Sequence, residues 1–299
     1  MDKIIVITGP TGVGKTKLSV SIAKRLNGEI INADSMQIYK DLNIGTAKIR
    51  DEEKEGIVHH LFDIKSTNED YSIYDYQIDA RGKIEDILSR GKTPIFVGGT
   101  GLYIKSALYD YTLSEEKVSD TYDDLSDSEL YNLLISLDKD IVIDKNNRRR
   151  LIRAINYYKE FGKSINENNN KDKLLYDNVI FIGLTTDRDV LYDKINLRVD
   201  KMIDEGLHDE VRNLYDKKIY TKPIINGIGY KEVYEYFDNK ISYEEMIDKI
   251  KQNSRRYAKR QYTFFKNQMD INWFNVDYDN FDNTINEVKE FIDKEWFYV

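Results

Sequence analysis

The stretch GPTGVGKT, Gly9 to Thr16, has the pattern G-x-x-x-x-G-K-[ST] of a loop that cradles phosphate groups. The residues before it, Lys3 to Thr8, are a β-branched apolar run typical of a buried strand. The residues after it, Lys15 to Leu26, carry apolar side chains at helical spacing. A strand before the loop and a helix after it are the context that such a loop requires, and a glycine-rich turn with a chance Lys-Thr pair is the alternative. We therefore expect a phosphate-binding loop at the start of a helix.

Each residue type in this stretch has a physical task. The glycines allow the backbone to curl so that its N–H groups point at an anion. The positive end of the helix dipole also attracts the anion. Lys15 has the length to reach terminal phosphates, and the hydroxyl of Thr16 can bind Mg²⁺. The candidate phosphate-binding residues are Gly9, Pro10, Thr11, Gly12, Val13, Gly14, Lys15 and Thr16. The pattern indicates bound phosphate, but it specifies neither ATP nor phosphoryl transfer.

The composition favours a globular protein of the cytoplasm. The 299 residues suggest one large domain or two, and 40% hydrophobic with 33% charged residues provide both a core and a solvated surface. There is no Cys, which excludes disulfides, a thiol nucleophile and thiolate metal sites and fits a reducing compartment. The chain leads into a strand without the features of a secretory signal, and no apolar run has the length of a membrane span. We expect a cytoplasmic protein without a membrane segment.

The charge distribution is uneven. The formal net charge is −8, which argues mildly against a nucleic-acid partner. Yet the stretch from Lys249 to Lys266 holds seven basic residues and no acidic one, with aromatic residues between them. A second basic cluster, Lys145 to Lys159, also lacks acidic residues. Such clusters are the footprint of a locally bound polyanion, and solvated helix faces paired with acidic neighbours are an equal alternative.

Strands and helices alternate along the first part of the chain. Further strands are predicted at Glu29 to Ala33 and Thr93 to Gly99, with a helix between them at Tyr71 to Arg90. A later apolar run, Val179 to Thr185, predicts another buried strand, and most of the residues after it have helical periodicity. We therefore predict an α/β fold: a P-loop NTPase-like parallel sheet with flanking helices, a small helical insertion and a largely helical C-terminal part.

The insertion is indicated by a change of composition. Residues 112 to 145 are acidic at first, with little periodic apolar content, and become helical from Ser128 to Leu137. We predict the first part of the P-loop core at 1–111, the insertion at 112–145 and the remainder of the core, with the basic helices, at 146–299. That remainder begins with a basic helix, Asn147 to Phe161, and a polar linker at residues 166 to 173.

Two polar strings follow predicted strands, at the edge where a parallel sheet of this type binds its ligand. The first, Asp34 to Gln37, brings a carboxylate that can bind Mg²⁺, accept a proton from a nucleophile or cap the next helix. The second, Gly98 to Thr100, offers a hydroxyl beside two glycines that let a backbone or a ligand come close, or that form a tight turn. The adjacent His59 and His60 do not share a face, so a packed or hydrogen-bonded pair is expected rather than a zinc site.

Together these strings resemble one family, the tRNA dimethylallyltransferases, also called isopentenyl-tRNA transferases. The shared motifs are, in order, G-P-T-x-x-G-K-T, D-S-M-Q-x-Y, G-T-A-K, H-H-L-x-D-I, V-G-G-T-G-L-Y, R-x-x-R-A-(L/I), R-V-D-x-M, G-I-G-Y-K-E and R-R-Y-A-K-R-Q. In this chain they begin at Gly9, Asp34, Gly45, His59, Val97, Arg150, Arg198, Gly227 and Arg255. Their order and spacing extend over nearly the whole chain, which makes the resemblance specific.

The resemblance implies a reaction and its partners. The loop would hold dimethylallyl diphosphate, with Mg²⁺ bound partly by Thr16. The acceptor would be N6 of the adenosine 3′-adjacent to the anticodon of tRNA, and inorganic diphosphate would leave. We expect a monomer whose partners are the tRNA anticodon loop and the allylic diphosphate. The alternatives are a P-loop kinase of small molecules or nucleosides, which leaves the basic C-terminal helix without a task, and a non-catalytic RNA-binding protein.

The resemblance also implies roles for individual residues. Asp34 would be the catalytic base, while Lys15 and Thr100 would stabilise the leaving diphosphate. The implied tRNA contacts are Asp34, Ser35, Met36, Gln37, Thr100, Arg149, Arg150, Leu151, Ile152, Arg153, Arg256, Tyr257, Ala258, Lys259, Arg260 and Gln261. No contact is carried into residues 112 to 145, because the insertion departs from the family pattern there.

Overall fold

The structure, a computed structural model, describes residues 3–110, 120–166 and 173–297. The backbone packs into two compact units, one made of Met1–Ala107 with Tyr176–Val299 and the other of Leu108–Leu175. Most of the predicted polar linker and the start of the predicted insertion lie outside the described residues.

A parallel sheet forms the centre of the first unit. Its strands, within the described residues, are β1 (Lys3–Thr8), β2 (Gly28–Asn32), β3 (His59–His60), β4 (Thr93–Val97), β5 (Asn178–Thr185) and β6 (Asn272–Asn275). They lie in the order β3-β2-β4-β1-β5-β6, and every pairing is parallel. This sheet confirms the predicted α/β class. The sequence did not predict β3, because two residues are too short for a periodic pattern.

Helices cover the sheet and make up most of the chain after β5. Those of the described residues are α1 (Lys15–Leu26), α2 (Ile73–Ser89), α3 (Gly101–Leu108), α4 (Asp127–Leu137), α5 (Arg148–Phe161), α6 (Arg188–Asp204), α7 (Leu207–Asp216), α8 (Lys222–Asn226), α9 (Tyr230–Phe237), α10 (Tyr243–Gln268) and α11 (Phe281–Phe297). Ser72 and Ser242 begin α2 and α10 with capping boxes, which satisfy the first free N–H groups of each helix. The sequence did not predict α8, a five-residue helix with a proline in its first turn.

The core of the first unit lies between α1 and the central strands. Leu18 and Ile22 of α1 are fully buried in one cluster with Ile5, Ile7 and Ile95 of the strands. Burying side chains of this size stabilises a fold by about 1.5–3 kcal/mol each. The apolar faces that the sequence predicted therefore fix α1, and with it the preceding loop, onto the sheet.

The second unit has a core of its own. Leu130 and Leu134 of α4 pack with Leu151, Ala154 and Ile155 of α5. The sequence prediction ended the insertion at Lys145, whereas this compact unit extends to Leu175. The difference has a physical reason: α5 carries an apolar face beneath its arginines, and α4 buries its own apolar face against it.

The sheet brings three chain segments to one edge. In the parallel register Ile7 of β1 and Asn32 of β2 both lie beside Val97 of β4. The loops that leave β1, β2 and β4 therefore begin next to one another, at the carboxyl ends of the strands. No helix in the described part of the chain has the length and apolar character to cross a membrane.

Candidate active site

The loop after β1 has the geometry of a phosphate cradle. Gly9 adopts φ +133°, and a Cβ there would lie 2.4 Å from the carbonyl oxygen of Leu184, so only glycine fits. Gly14, with φ 87°, starts α1. Lys15 folds back over the loop, where its Nζ donates to the carbonyl oxygens of Gly9 (3.0 Å) and Pro10 (2.8 Å). The loop thus closes around its own lysine.

A second basic residue, Arg198, lines the same cleft as Lys15. The pKa of Lys15 is lowered to about 7, first by burial and then by the positive charge of Arg198 on α6, while the negative charge of Asp34 opposes both. The pKa of Arg198 is lowered by burial and raised by Asp34. Two cations and one carboxylate thus interact in one cleft, which suits a multiply charged anion next to a base.

Asp34 is held in a tight turn after β2. Its N–H donates to the side-chain oxygen of Asn32 (2.9 Å), and its own Oδ1 accepts the N–H of Met36 (2.9 Å). The residues that follow form turns rather than a helix, so the helix-capping alternative for Asp34 is wrong. These bonds fix the carboxylate at the edge of the cleft.

Thr100 lies against this turn. Its Oγ1 accepts the N–H of Ser35 (3.1 Å), and its own N–H donates to the carbonyl oxygen of Ala33 (2.9 Å). A Cβ at Gly98 would lie 2.2 Å from the carbonyl carbon and oxygen of Ala33. The predicted close approach of another backbone to the glycine pair is therefore confirmed.

The basic helix α10 presents residues to the same cleft. Arg256, Tyr257, Arg260 and Gln261 line it. Burial raises the pKa of the Tyr257 hydroxyl to about 12, and interactions with the side chains of Thr100 and Gln261 oppose this rise. Ala258, between them, is fully buried. One face of α10 thus reaches the residues that follow β1 and β4.

A carboxylate that the sequence analysis did not single out shapes another wall. Glu210 of α7 accepts the N–H groups of Asn43 (3.0 Å), Ile44 (2.7 Å) and Gly45 (3.1 Å), and the hydroxyl of Tyr230 (2.7 Å). Three backbone donors on one charged acceptor hold this segment firmly. No local pattern marks Glu210, because its partners are far away in the chain.

Thr46 follows the segment that Glu210 holds, and it connects that segment to Arg198. The carbonyl oxygen of Thr46 accepts from the side chains of Gln37 (3.0 Å) and Arg198 (3.4 Å). Arg198 therefore contacts the segment that Glu210 holds, and it lines the same cleft as Lys15. It was quoted in a motif but not predicted as a site residue.

The cleft has a volume of about 820 Å³ and belongs wholly to the first unit. It brings together the loop, the Asp34–Gln37 turn and α10. The predicted histidine pair is hydrogen-bonded, as expected: His59 to the carbonyl oxygen of Ile57 (2.8 Å) and His60 to Glu29 (2.7 Å).

The predicted RNA contacts of α5 lie in the second unit. Arg149, Arg150 and Arg153 are exposed, Ile152 is half-buried and Leu151 is fully buried in the core of that unit. The side chains of Leu151 and, on α10, of Ala258 are thus packing positions in this structure. Only the exposed members of these stretches present charge to a ligand.

Both interpretations of the basic clusters apply, each to different residues. Lys249 and Lys251 pair with Glu235 (3.0 Å) and Asp200 (2.6 Å), as solvated helix faces do. Arg256, Lys259 and Arg260 are exposed instead, and the two arginines line the cleft. The part of α10 beside the cleft is therefore the part suited to a polyanion.

A phosphate cradle, a fixed carboxylate and a basic helix on one cleft define a P-loop enzyme that takes a phosphorylated substrate together with a polyanion. Comparison with known proteins specifies the class further. The family model described as IPP transferase matches residues 37–268, and that described as isopentenyl transferase matches residues 2–69. A tRNA dimethylallyltransferase of Anoxybacillus flavithermus is 50% identical over 99% of this chain and 98% of its own length.

Solved structures agree with this assignment. The tRNA isopentenylpyrophosphate transferase of Bacillus halodurans matches with a TM-score of 0.76 and 43% identity, over 99% of this chain and 97% of its own. A eukaryotic dimethylallyltransferase acting on tRNA matches with a TM-score of 0.87 and 32% identity, over 98% of this chain and 80% of its own. The chain therefore belongs to the IPP transferase family, and prenyl transfer to tRNA, not the phosphoryl transfer of a kinase, is its reaction.

Proposed function

We propose that the protein transfers a dimethylallyl group from dimethylallyl diphosphate to N6 of the adenosine 3′-adjacent to the anticodon. The observation that carries this is the convergence of Lys15, Arg198 and Asp34 on one cleft with α10. The cations suit the diphosphate of the donor, and the carboxylate beside them suits an amine that must lose a proton. In the reaction a bond forms between N6 and C1 of the prenyl group while the bond between C1 and the diphosphate oxygen breaks.

Asp34 is the base of this reaction. An exocyclic amine of adenine is a weak nucleophile, and removal of its proton as the new bond forms contributes typically about 10²–10⁴-fold to the rate. The N–H of Met36 fixes Oδ1, so the carboxylate is held ready at the cleft edge. The proton passes from N6 to this carboxylate, and the bonding electrons of C1 leave with diphosphate.

The loop and its cations stabilise the leaving group. Backbone N–H groups, Lys15 and Arg198 offer donors where negative charge grows on the diphosphate oxygens. Lys15 exchanges its bonds with the carbonyl oxygens of Gly9 and Pro10 for bonds with phosphate oxygens. Thr100 holds the Asp34 turn in place through its bond with Ser35.

Mg²⁺ suits the same loop. Thr16 is exposed in the first turn of α1 and lines the cleft. The described residues contain no group of three or more His, Cys, Asp or Glu side chains that could hold a metal. In phosphate sites Mg²⁺ uses one or two protein oxygens, substrate phosphates and water, so a single hydroxyl fits this ion. When bound, the ion would neutralise charge on the diphosphate.

The RNA binds over α10 and the Asp34–Gln37 turn. Arg256 and Arg260 are one helical turn apart, so they can follow a phosphate backbone, and Tyr257 lies between them at the cleft. The target base must leave its stack to reach Asp34, which costs a few kcal/mol and less in a loop than in a duplex. The exposed arginines of α5 are further contacts in this proposal.

We also propose that the protein works as a monomer in the cytoplasm. Asp34, Lys15, Arg198 and the arginines of α10 all belong to one chain, so no second copy is required for the chemistry. Size-exclusion chromatography with light scattering would give the mass of one chain, and a larger species that alone is active would contradict this proposal.

The experiment that tests the function compares two labelled donors. Purified protein, Mg²⁺ and unmodified tRNA are incubated with dimethylallyl diphosphate labelled in its carbon chain or with ATP labelled in its γ-phosphate. Label from the allylic donor should appear in RNA, at N6 of one adenosine after nuclease digestion, and label from ATP should not. Transfer from ATP alone would overturn the proposal.

A further inference from the structure

The side-chain amide of Gln261 is hydrogen-bonded inside the protein through both its oxygen and its nitrogen. Its Oε1 accepts the N–H of Thr11 (3.2 Å), and its Nε2 donates to the carbonyl oxygen of Gly99 (3.0 Å). The side chain is buried, with 5% of the residue exposed. Turning the amide toward a base of the RNA would leave two groups without partners in a buried place, which is unfavourable.

The two partners belong to the two segments that bind the substrates. Thr11 lies in the phosphate-binding loop, and Gly99 directly precedes Thr100. Thr100 in turn holds the N–H of Ser35, next to Asp34. The Gln261 amide therefore connects the cradle of the leaving group with the segment that orients the base.

The Gln261 amide thus forms a bridge between Thr11 and Gly99, and it requires the space that a glycine leaves at position 99. A Cβ at position 99 would lie 1.9 Å from Nε2 of Gln261, and its next contacts, at 3.1 Å and 3.8 Å, are with the same side chain. Gly99 is not among the residues with positive φ, so its backbone conformation does not require glycine. The three atoms nearest to a side chain at position 99 thus all belong to Gln261, which accounts for the glycine there.

We infer that Gln261 is a positioning residue that sets the distance between the diphosphate loop and the Thr100–Asp34 segment, and not a contact of the RNA. The inference rests on the proposed roles of these two segments. It revises the sequence-based expectation that Gln261 binds tRNA. The sheet also joins the loop to the turn, but it holds only the strand ends, so without the bridge a shift of the loop would move the leaving group away from the base.

The first test replaces the amide and keeps the volume. Gln261→Met removes both hydrogen bonds, and Gln252→Ala, an exposed glutamine on the same helix, is the matched control. For Gln261→Met we expect kcat to fall about tenfold or more and inorganic diphosphate to bind more weakly, while Kd for tRNA stays within about twofold. The control should leave all three unchanged.

The second test uses Gly99. Gly99→Ala should lower both kcat and the melting temperature, because the new methyl group collides with Gln261. In the double variant Gly99→Ala with Gln261→Ala the collision is gone. Adding Gly99→Ala to Gln261→Ala should therefore lower kcat and the melting temperature little further. The four proteins form a double-mutant cycle, which measures the interaction between positions 99 and 261 directly.

Three results would overturn the inference. An increase of about tenfold in Kd for tRNA with unchanged kcat would make Gln261 an RNA contact. A lower melting temperature with unchanged kcat of the folded fraction would make it a packing residue only. If Gly99→Ala lowers kcat and the melting temperature equally in the wild type and in Gln261→Ala, Gln261 does not connect the two segments. Because diphosphate binding and melting temperature require no prenyl transfer, failure of the proposed reaction and failure of the bridge are distinguishable.

Discussion

Arg198 lies beside the apolar face of its helix. Leu191, Ile195, Val199 and Met202 form the buried stripe of α6, and Arg198 is half-buried next to it. A guanidinium on such a face requires an anion or a carboxylate nearby. Its charge interacts with those of Asp34 and Lys15, and all three residues line the cleft. The repulsion between Arg198 and Lys15 is relieved when an anion such as diphosphate binds both.

Replacement of Arg198 by Ala should therefore weaken the binding of inorganic diphosphate by about 10-fold to 100-fold, since a hydrogen bond to a charged group contributes about 1.5–3 kcal/mol. Isothermal titration calorimetry would measure the affinity. Lys201→Ala, an exposed lysine of the same helix, is the control and should bind as the wild type does. Undiminished affinity in Arg198→Ala would remove this residue from the diphosphate site.

At the scale of the elements, α10 divides its charge between two tasks. Lys249 and Lys251, in its first half, are paired with Glu235 and Asp200, whereas Arg256 and Arg260 beside the cleft are exposed. Exposed arginines that contact phosphates release counterions from the RNA, so their contribution depends on salt. Paired lysines contribute little to either binding or stability.

The double variant Arg256→Ala with Arg260→Ala should bind tRNA more weakly and with a smaller dependence on salt. The slope of log K against log salt should fall by about 0.7 for each phosphate that the variant no longer neutralises. Lys249→Ala, on the same helix but paired with Glu235, should leave the slope unchanged. Filter binding at several salt concentrations measures both effects, and equal slopes for all three proteins would contradict the placement of the RNA on α10.

The elements with strong local signals could be predicted from the sequence. The bounds of β1 and α1 agree with the expectation, because apolar periodicity and glycines mark them. What escaped prediction depends on distant partners or on short segments. Glu210 acts on a loop far away in the chain, α8 has only five residues, and Gln261 faces inward from a helix whose basic residues suggested RNA. The packing of α5 with α4 was hidden by its arginines.

At the scale of the whole molecule, one buried charge cluster joins the strands at the β3 side of the sheet. Glu29 of β2 has 3% of its side chain exposed and accepts from Arg90, Lys92 and His60, with distances of 2.6 to 2.7 Å. The hydrogen bond from Arg90, more than any other partner, holds the pKa of Glu29 well below its ordinary value of 4.5. The stabilisation is therefore present above pH 4.5 and is lost as the pH falls further, toward the folded-state pKa.

Glu29→Gln should lower the free energy of unfolding at neutral pH by about 3 kcal/mol, the low end for breaking a buried pair, since Arg90 and Lys92 keep part of their hydration. The difference from the wild type should shrink below pH 4.5, where the wild type loses the same interaction. Urea unfolding at pH 7 and pH 3.5 measures it. Glu85→Gln, exposed on α2, is the control. A difference that does not change with pH would contradict this account.

The central claim is that a carboxylate fixed at the end of β2 takes the proton of the amine while the P-loop holds the leaving diphosphate. The most direct measurement is the single-turnover rate of dimethylallyl transfer to unmodified tRNA, for the wild type and for Asp34→Asn, with Kd for each substrate measured in parallel. Asn keeps the bond with Met36 N–H, and Asp41→Asn, at an exposed position with φ 64° that Asn tolerates, is the control. The account predicts a rate about 100-fold or more below the wild type for Asp34→Asn, with both Kd values within about twofold. An unchanged rate, or a loss that appears only in Kd for tRNA, would contradict it.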